Sequence, residues 1–328
     1  EKIMLRELIE EKGYLLADGA TGTNLFSMGL ESGHAPELWN LEQPDKVLSN
    51  HENFIAAGSD IILTNTFGAN RCRLALHKAE NEVANLNYEG AAIAKKAAKK
   101  CNQSVLVAGS VGPTGELMEP YGQLNVDTAI NVFSDQISAL KEGGADLIWI
   151  ETMSATLEMK CAIEAASAIK LPIICTYSLD THGKTMMGCE PKDLVDLIEE
   201  SYPQVEGYGA NCGIGMSELI GSIICFAGER KNSSRAIVAK SNCGIPEYKD
   251  GQIAYTGSPN KMAQYARIAR NIGAEIIGGC CGTQPEHIQA MDAALKSQKT
   301  NNPERLEEII GMLGDMSKGN LSMVKQYS

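Results

Sequence analysis

The feature that most restricts the fold of this chain is an alternation. Short runs of β-branched and apolar residues recur along most of its length, and between most of them lies a stretch with helical periodicity. Eight such runs predict strands: YLLADG ending near Gly19, DIILTNTF near Phe67, SVLVAGSVGP near Pro113, DLIWIET near Thr152, PIICTYSLD near Asp180, VEGYGANC at Cys212, RAIVAKSN at Asn242 and AEIIGGCC at Cys281. The stretches PDKVLSNHENFIAAG, DTAINVFSDQISALKEGG, TLEMKCAIEAASAI, PKDLVDLIEES and NKMAQYARIARNIG read as the amphipathic helices between them. Pro44-Asp45, Asp127, Pro191 and Pro285 fit the preference for proline or an acid in a first helical turn, and Gly58, Gly143 and Gly273 suit left-handed helix ends. Eight strand–helix units are the number that closes a parallel barrel, so the expected fold is α/β, a (β/α)8 TIM barrel over residues 1–298 with a linker and short helix over 299–328. The rival is an open doubly wound sheet, whose dinucleotide loop is missing because DGATGT has too few glycines at the wrong spacing.

Composition removes several function classes. A formal net charge of -12 argues against a nucleic-acid surface, and the basic run AKKAAKK (Ala94 to Lys100) has the pattern of a solvated helix face. No apolar run approaches the roughly 20 residues of a membrane helix, and EKIMLRELIEEKG has no signal-peptide core, which makes the cytoplasm the expected compartment. Ten cysteines without a secretory signal are expected to be reduced thiols, and Cys101, Cys161, Cys175 and Cys225 sit in apolar contexts that suit the core.

In a parallel barrel the chemistry lies at the C-terminal strand ends. There the chain places Asp18, Thr64, Asn65, Thr66, Glu151, Thr152, Cys212, Asn242, Cys280 and Cys281. Three thiols on the sixth and eighth strand ends can meet one metal, and zinc is the natural candidate, with three protein ligands and one open position. Adjacent cysteines on a regular strand point to opposite faces, so the end must bend, which Gly278, Gly279 and Gly282 permit. A vicinal disulfide between Cys280 and Cys281 would leave Cys212 and Glu151 without roles, and a closed structural zinc site would want a fourth ligand. None of His34, His51, His77, His182 and His287 directly follows a strand end, and His287 reads as a surface residue. A trithiolate site is a poor generator of hydroxide but suits a substrate thiol, which coordination deprotonates. Activation of a sulfur nucleophile for alkyl transfer is the chemistry that follows. A zinc hydrolase, or a non-catalytic zinc or redox thiol sensor, are the alternatives from other classes.

The motifs DGATGT, TNTFGAN, GSVGPTGEL, ETM, GANC and GGCCGT, in this order between Leu15 and Leu295, resemble the zinc-dependent homocysteine S-methyltransferases. Within that family the pattern is similar to the N-terminal homocysteine-binding barrel of cobalamin-dependent methionine synthases. The resemblance implies that Cys212, Cys280 and Cys281 bind zinc, with Asn242 offered to the metal when substrate is absent. It implies that Glu151, helped by Asp18, receives the homocysteine ammonium. The backbone of Ala20, Thr21, Gly22 and Thr23 would bind the carboxylate, and Thr66 and Phe67 would line the mouth. Cys243 departs from the small residue usual after that asparagine and leaves open a fourth thiol near the metal. The methyl donor is expected to be a corrinoid carried by a partner protein or module, with a small onium compound such as betaine or S-methylmethionine as the alternative. The last thirty or so residues could pack on the barrel, lead to another module, or form a dimer contact.

Overall fold

The computed structural model describes residues 5–249, 252–298 and 303–327. Ten strands occur among them: β1 Leu15–Leu16, β2 Ile61–Leu63, β3 Leu106–Val111, β4 Leu147–Met153, β5 Ile173–Tyr177, β6 Val205–Cys212, β7 Ala236–Ser241, β8 Pro246–Lys249, β9 Gln252–Tyr255 and β10 Ile276–Gly279. Eight of them form one parallel sheet in the order β1-β10-β7-β6-β5-β4-β3-β2, and a parallel bridge between Ala17 and Ile61 joins its two edges. The result is the expected (β/α)8 barrel. Its strand ends fall within a few residues of those read from the sequence.

Both faces of these strands are apolar because both are covered, the rule for parallel sheets. With a side-chain period of two, Leu15, Ala17, Ile61, Leu63, Leu106, Ala108, Leu147, Trp149, Ala236, Val238 and Ile276 fill the barrel, and Leu5 and Ile9 of the helix Leu5–Lys12 join that cluster. The alternate residues Leu16, Ile62, Val107, Ile148, Ile173, Ile237 and Ile277 face the helical layer. Proline or an acid stands in the first turn of the helices Pro44–Ala56, Val126–Glu142, Pro191–Ser201 and Pro285–Ser297, as the sequence predicts. One helix end differs: the left-handed residue after Val126–Glu142 is Gly144 (φ 103°), while Gly143 stays helical and is kept free of a side chain by the Tyr88 carbonyl, 2.3 Å from where a Cβ would sit.

The hairpin β8–β9 was not foreseen. It pairs Pro246 with Tyr255 and Tyr248 with Ile253 in the segment that follows β7. At the C-terminus, the expected boundary at residue 299 lies outside the described residues. Beyond it, helices Leu306–Leu313 and Lys318–Val324 pack on the barrel through buried Ile309, Met316 and Val324. Ser217 donates to the Gly314 carbonyl (2.7 Å), and Asn320 donates to the Glu218 carbonyl and carboxylate, both at 2.8 Å. Among the described residues no helix is long and apolar enough to cross a membrane.

Candidate metal and substrate site

The alternation that fills the barrel also builds the site, because the interior series of each strand ends on a polar side chain. Leu106 and Ala108 are followed by Ser110, Leu147 and Trp149 by Glu151, Ala236 and Val238 by Lys240, and Ile276 and Gly278 by Cys280. These four, with Cys212 and Cys281, line a cavity of about 440 Å3 at the C-terminal end of the barrel. Ala20, Thr21, Gly22, Thr23, Thr66 and Phe67 line it too, so most of the residues implied by the resemblance are brought together.

The three thiols converge although 68 residues separate Cys212 from Cys280. Cys212 and Cys280 Sγ lie 2.7 Å apart, and all three sulfurs fall within 4.8 Å of one another. A tetrahedral zinc with sulfur at about 2.3 Å would hold its thiolates about 3.8 Å apart, so the three sulfurs are the right donors in the right neighbourhood, and the Cys212–Cys280 pair would open by about 1 Å to take the ion. Backbone geometry makes this possible. Cys212 takes φ 58°, uncommon for a residue with a side chain, and Gly282 takes φ 77° directly after the cysteine pair. A Cβ at Gly282 would come within 2.3 Å of the Tyr255 ring, which packs across this turn from β9. The thiols share charge. Hydrogen bonds from Cys212 and Cys280 hold Cys281 well below the usual thiol range, while Cys212 is held well above it as the donor to its two neighbours.

Asn242 and Cys243 do different work from each other. Asn242 donates to the Gly213 carbonyl (2.8 Å) and accepts from the Cys281 amide (3.1 Å), tying the two cysteine turns together. Cys243 turns away: its Sγ donates to the Gly257 carbonyl (3.0 Å) at the base of the hairpin, outside the thiol cluster. His287, read as a surface residue, is buried beside that base, with Nδ1 accepting from the Gln284 amide (2.9 Å) and Nε2 3.0 Å from the Gly257 carbonyl.

Glu151 stands at the cavity wall, 8% exposed, and accepts a 2.5 Å hydrogen bond from Ser110. Burial, and second the nearby Cys280, push its carboxyl up to about 7. Asp18 lies one layer deeper, outside the cavity lining. Its Oδ2 accepts from the Leu63 amide (2.9 Å), its Oδ1 lies 3.4 Å from Lys240 Nζ, and burial pushes it up to about 6 against those two partners. Besides Ser110, two residues were missed at the sequence level. Lys240 is one, a buried lysine inside an otherwise apolar strand. Asn211 is the other: it accepts from the Thr152 amide (2.8 Å) and Thr176 hydroxyl (2.7 Å), donates to Thr152 Oγ1 (2.7 Å), and so pins Thr152 at φ 59° beside Glu151. Both were visible as polar letters in strands at interior phase.

Residues 15–295 match the homocysteine S-methyltransferase family, and the chain belongs to that family. It is 27% identical over 309 residues to methionine synthase from Mycobacterium tuberculosis, covering 89% of this chain and 25% of that protein. With methionine synthase from Mycobacterium leprae it shares 26% over 299 residues, 86% of this chain and 24% of the other. The chain thus spans about a quarter of the length of these relatives. The metallated form of the homocysteine methyltransferase MmuM from Escherichia coli superposes with a TM-score of 0.74 at 26% identity, covering 89% of this chain and 99% of that one.

Proposed function

We propose that this barrel is a zinc-dependent homocysteine S-methyltransferase that forms methionine, and that a methylcorrinoid protein or module delivers the methyl group. The observation that carries the reading is the meeting of Cys212, Cys280 and Cys281 on the wall of a cavity that also exposes a buried carboxylate, Glu151. Zinc held by the three sulfurs would supply an open position at which a substrate thiol loses its proton.

The chain's own residues do the rest. Glu151 receives the homocysteine ammonium in a charge-assisted contact, which fixes which end of the substrate faces the thiols. The backbone of Ala20 to Thr23 takes the carboxylate, and Thr66 and Phe67 shape the mouth. Asp18 acts from below, through Lys240 and the Leu63 amide, rather than by touching substrate. Asn242 ties the two cysteine turns to each other. Positioning and a lowered thiol pKa are the two contributions such a site makes to an in-line methyl transfer.

A protein-borne donor is supported by the surface around the mouth. Phe26, Leu76, Leu117, Tyr121, Met186 and Tyr248 belong to segments that follow barrel strands, and all are largely exposed. Phe26 lines the cavity itself, and a docking protein would cover such exposed apolar side chains at this end of the barrel. A small onium donor is the second reading, favoured by a cavity with room for homocysteine and a compact partner. The test is to give zinc-loaded protein and homocysteine a methylated corrinoid, betaine and S-methylmethionine in parallel. Zinc-dependent methionine from the corrinoid is expected. Methionine from an onium compound alone would replace the donor assignment, and none from any donor would remove the reading.

A further inference from the structure

Among the described residues lining the cavity, Lys240 is the only cation. Its side chain is 4% exposed, at the top of a series, Ala236 and Val238, whose other members are barrel core. Nζ donates to the Gly279 carbonyl (2.6 Å) and the Gly19 carbonyl (3.3 Å) and lies 3.4 Å from Asp18 Oδ1. That Asp18 oxygen has no hydrogen-bond partner, so the ammonium is its one neutralising neighbour. Burial draws the Lys240 pKa down, but Asp18 beyond β1, Cys280 beyond β10, Glu151 on β4 and Cys212 on β6 together hold it above its ordinary value. An amine that donates to two carbonyls and lies 3.4 Å from a carboxylate oxygen is an ammonium, and the four groups named are, or can become, anions.

A neutral core residue would fill this position at lower cost, since a buried charge is tolerated only where other charges need it. The need is visible in the charge count. Three thiolates around a divalent ion leave about -1, Glu151 and Asp18 add two more negative charges, and an incoming thiolate adds another. We propose that Lys240 is a positioning residue whose buried ammonium offsets the negative charge that gathers when a substrate thiol ionises beside the three cysteine sulfurs. Its hydrogen bonds to the carbonyls of Gly279 and Gly19 aim that charge by tying the cysteine turn to the DGATGT turn. The assignment rests on the reading that a thiol ionises at a metal held by Cys212, Cys280 and Cys281. The proton leaves to solvent, and Lys240 keeps its own.

The experiment compares wild type, Lys240→Gln and Lys240→Arg. Zinc affinity is read by competition with a chromophoric chelator, and homocysteine binding to the zinc-loaded proteins is followed by calorimetry as a function of pH. Lys240→Gln keeps a donor for the carbonyls and loses the charge. It is expected to hold zinc about tenfold more weakly and to raise the pH midpoint of homocysteine binding by about one unit. Lys240→Arg should recover most of both, because it restores charge without restoring shape. Lys240→Gln with wild-type affinity and midpoint overturns the proposal, as does an arginine variant as impaired as the glutamine one. If the single variant does not fold because Asp18 is left unpaired, Asp18→Asn/Lys240→Gln removes both charges. A midpoint raised by about half a unit is then expected, since Lys240 faces two thiols and Glu151 while Asp18 is turned to the Leu63 amide. An unchanged midpoint overturns the proposal there too. Wild type that releases no proton when homocysteine binds would instead remove the underlying function, and the Lys240 assignment with it.

Discussion

Replacing Glu151 by glutamine should weaken homocysteine binding while making the free protein more stable at alkaline pH. The two effects share one cause. Glu151 is 8% exposed, and burial lifts its carboxyl from 4.5 to about 7. Below pH 4.5 the group is protonated whether the chain is folded or not, and it contributes nothing to the pH dependence. As pH rises from about 4.5 to about 7, the unfolded chain ionises first and the folded protein is penalised. Above that window the full penalty stands, roughly 3 kcal/mol from 2.5 pH units at about 1.36 kcal/mol each. Glutamine is neutral throughout, and its carbonyl can keep the 2.5 Å hydrogen bond that Ser110 donates. The variant should therefore match wild type near pH 4.5 and gain up to about 3 kcal/mol above pH 7.

Substrate binding moves the other way. The carboxylate is held ready for a cation, and a hydrogen bond to a charged group contributes about 1.5–3 kcal/mol, so Glu151→Gln should bind homocysteine about ten- to a hundredfold more weakly. The discriminating control is 4-mercaptobutanoate, the same thiol without its amino group. Wild type should prefer homocysteine over this analogue by that factor, and Glu151→Gln should lose the preference, as a double-mutant cycle between protein and ligand requires. Calorimetry with both ligands and thermal melts at pH 5 and 8.5 provide the measurements. An unchanged preference for the amine would refute the ammonium assignment, and a variant less stable than wild type at pH 8.5 would refute the burial argument.

Cys281→Ser should lose zinc and turnover together while the circular dichroism spectrum stays that of the wild type, because the residue sits at a strand end and not in the core; retained zinc would defeat this. Cys243→Ala should leave zinc content unaltered and cost about 1–2 kcal/mol, since its buried sulfur contacts the Gly257 carbonyl and not the cluster, and loss of metal would show that it is a ligand after all. Gly282→Ala forces an alanine to φ 77° and a methyl group into the Tyr255 ring, so both the melting temperature and zinc occupancy should fall, with about 1–2 kcal/mol from the backbone alone. A variant with wild-type zinc occupancy would mean that the cysteine turn tolerates displacement.

The barrel was legible because its strands are buried on both sides and its helices on one, which writes two different periods into the chain. The thiol site was legible for a related reason: a cysteine pair among glycines at a strand end has no use in a core. The hairpin Pro246–Lys249 and Gln252–Tyr255 carries neither signal. Ile245, Tyr248 and Ile253 are exposed, so no burial requirement disciplines their spacing, and the Asp-Gly pair inside PEYKDGQIAY was the one hairpin signal it offered. His287 was misjudged because its partner, the Gly257 carbonyl, belongs to that same unrecognised segment.

Lys240 is a different kind of omission, since the information was present. RAIVAKSN alternates, and Ala236 and Val238 fix which phase faces the barrel interior; the lysine two places on shares that phase. A lysine there is either an error in the strand or a charge placed on purpose inside a barrel. The parallel register Cys212 with Ser241, and Gly278 with Lys240, brings it beneath both cysteine turns, where only the second alternative survives. Reading each strand's interior series through to its last polar member, instead of stopping at the strand end, would have added Ser110, Asn211 and Lys240 to Glu151 as one layer.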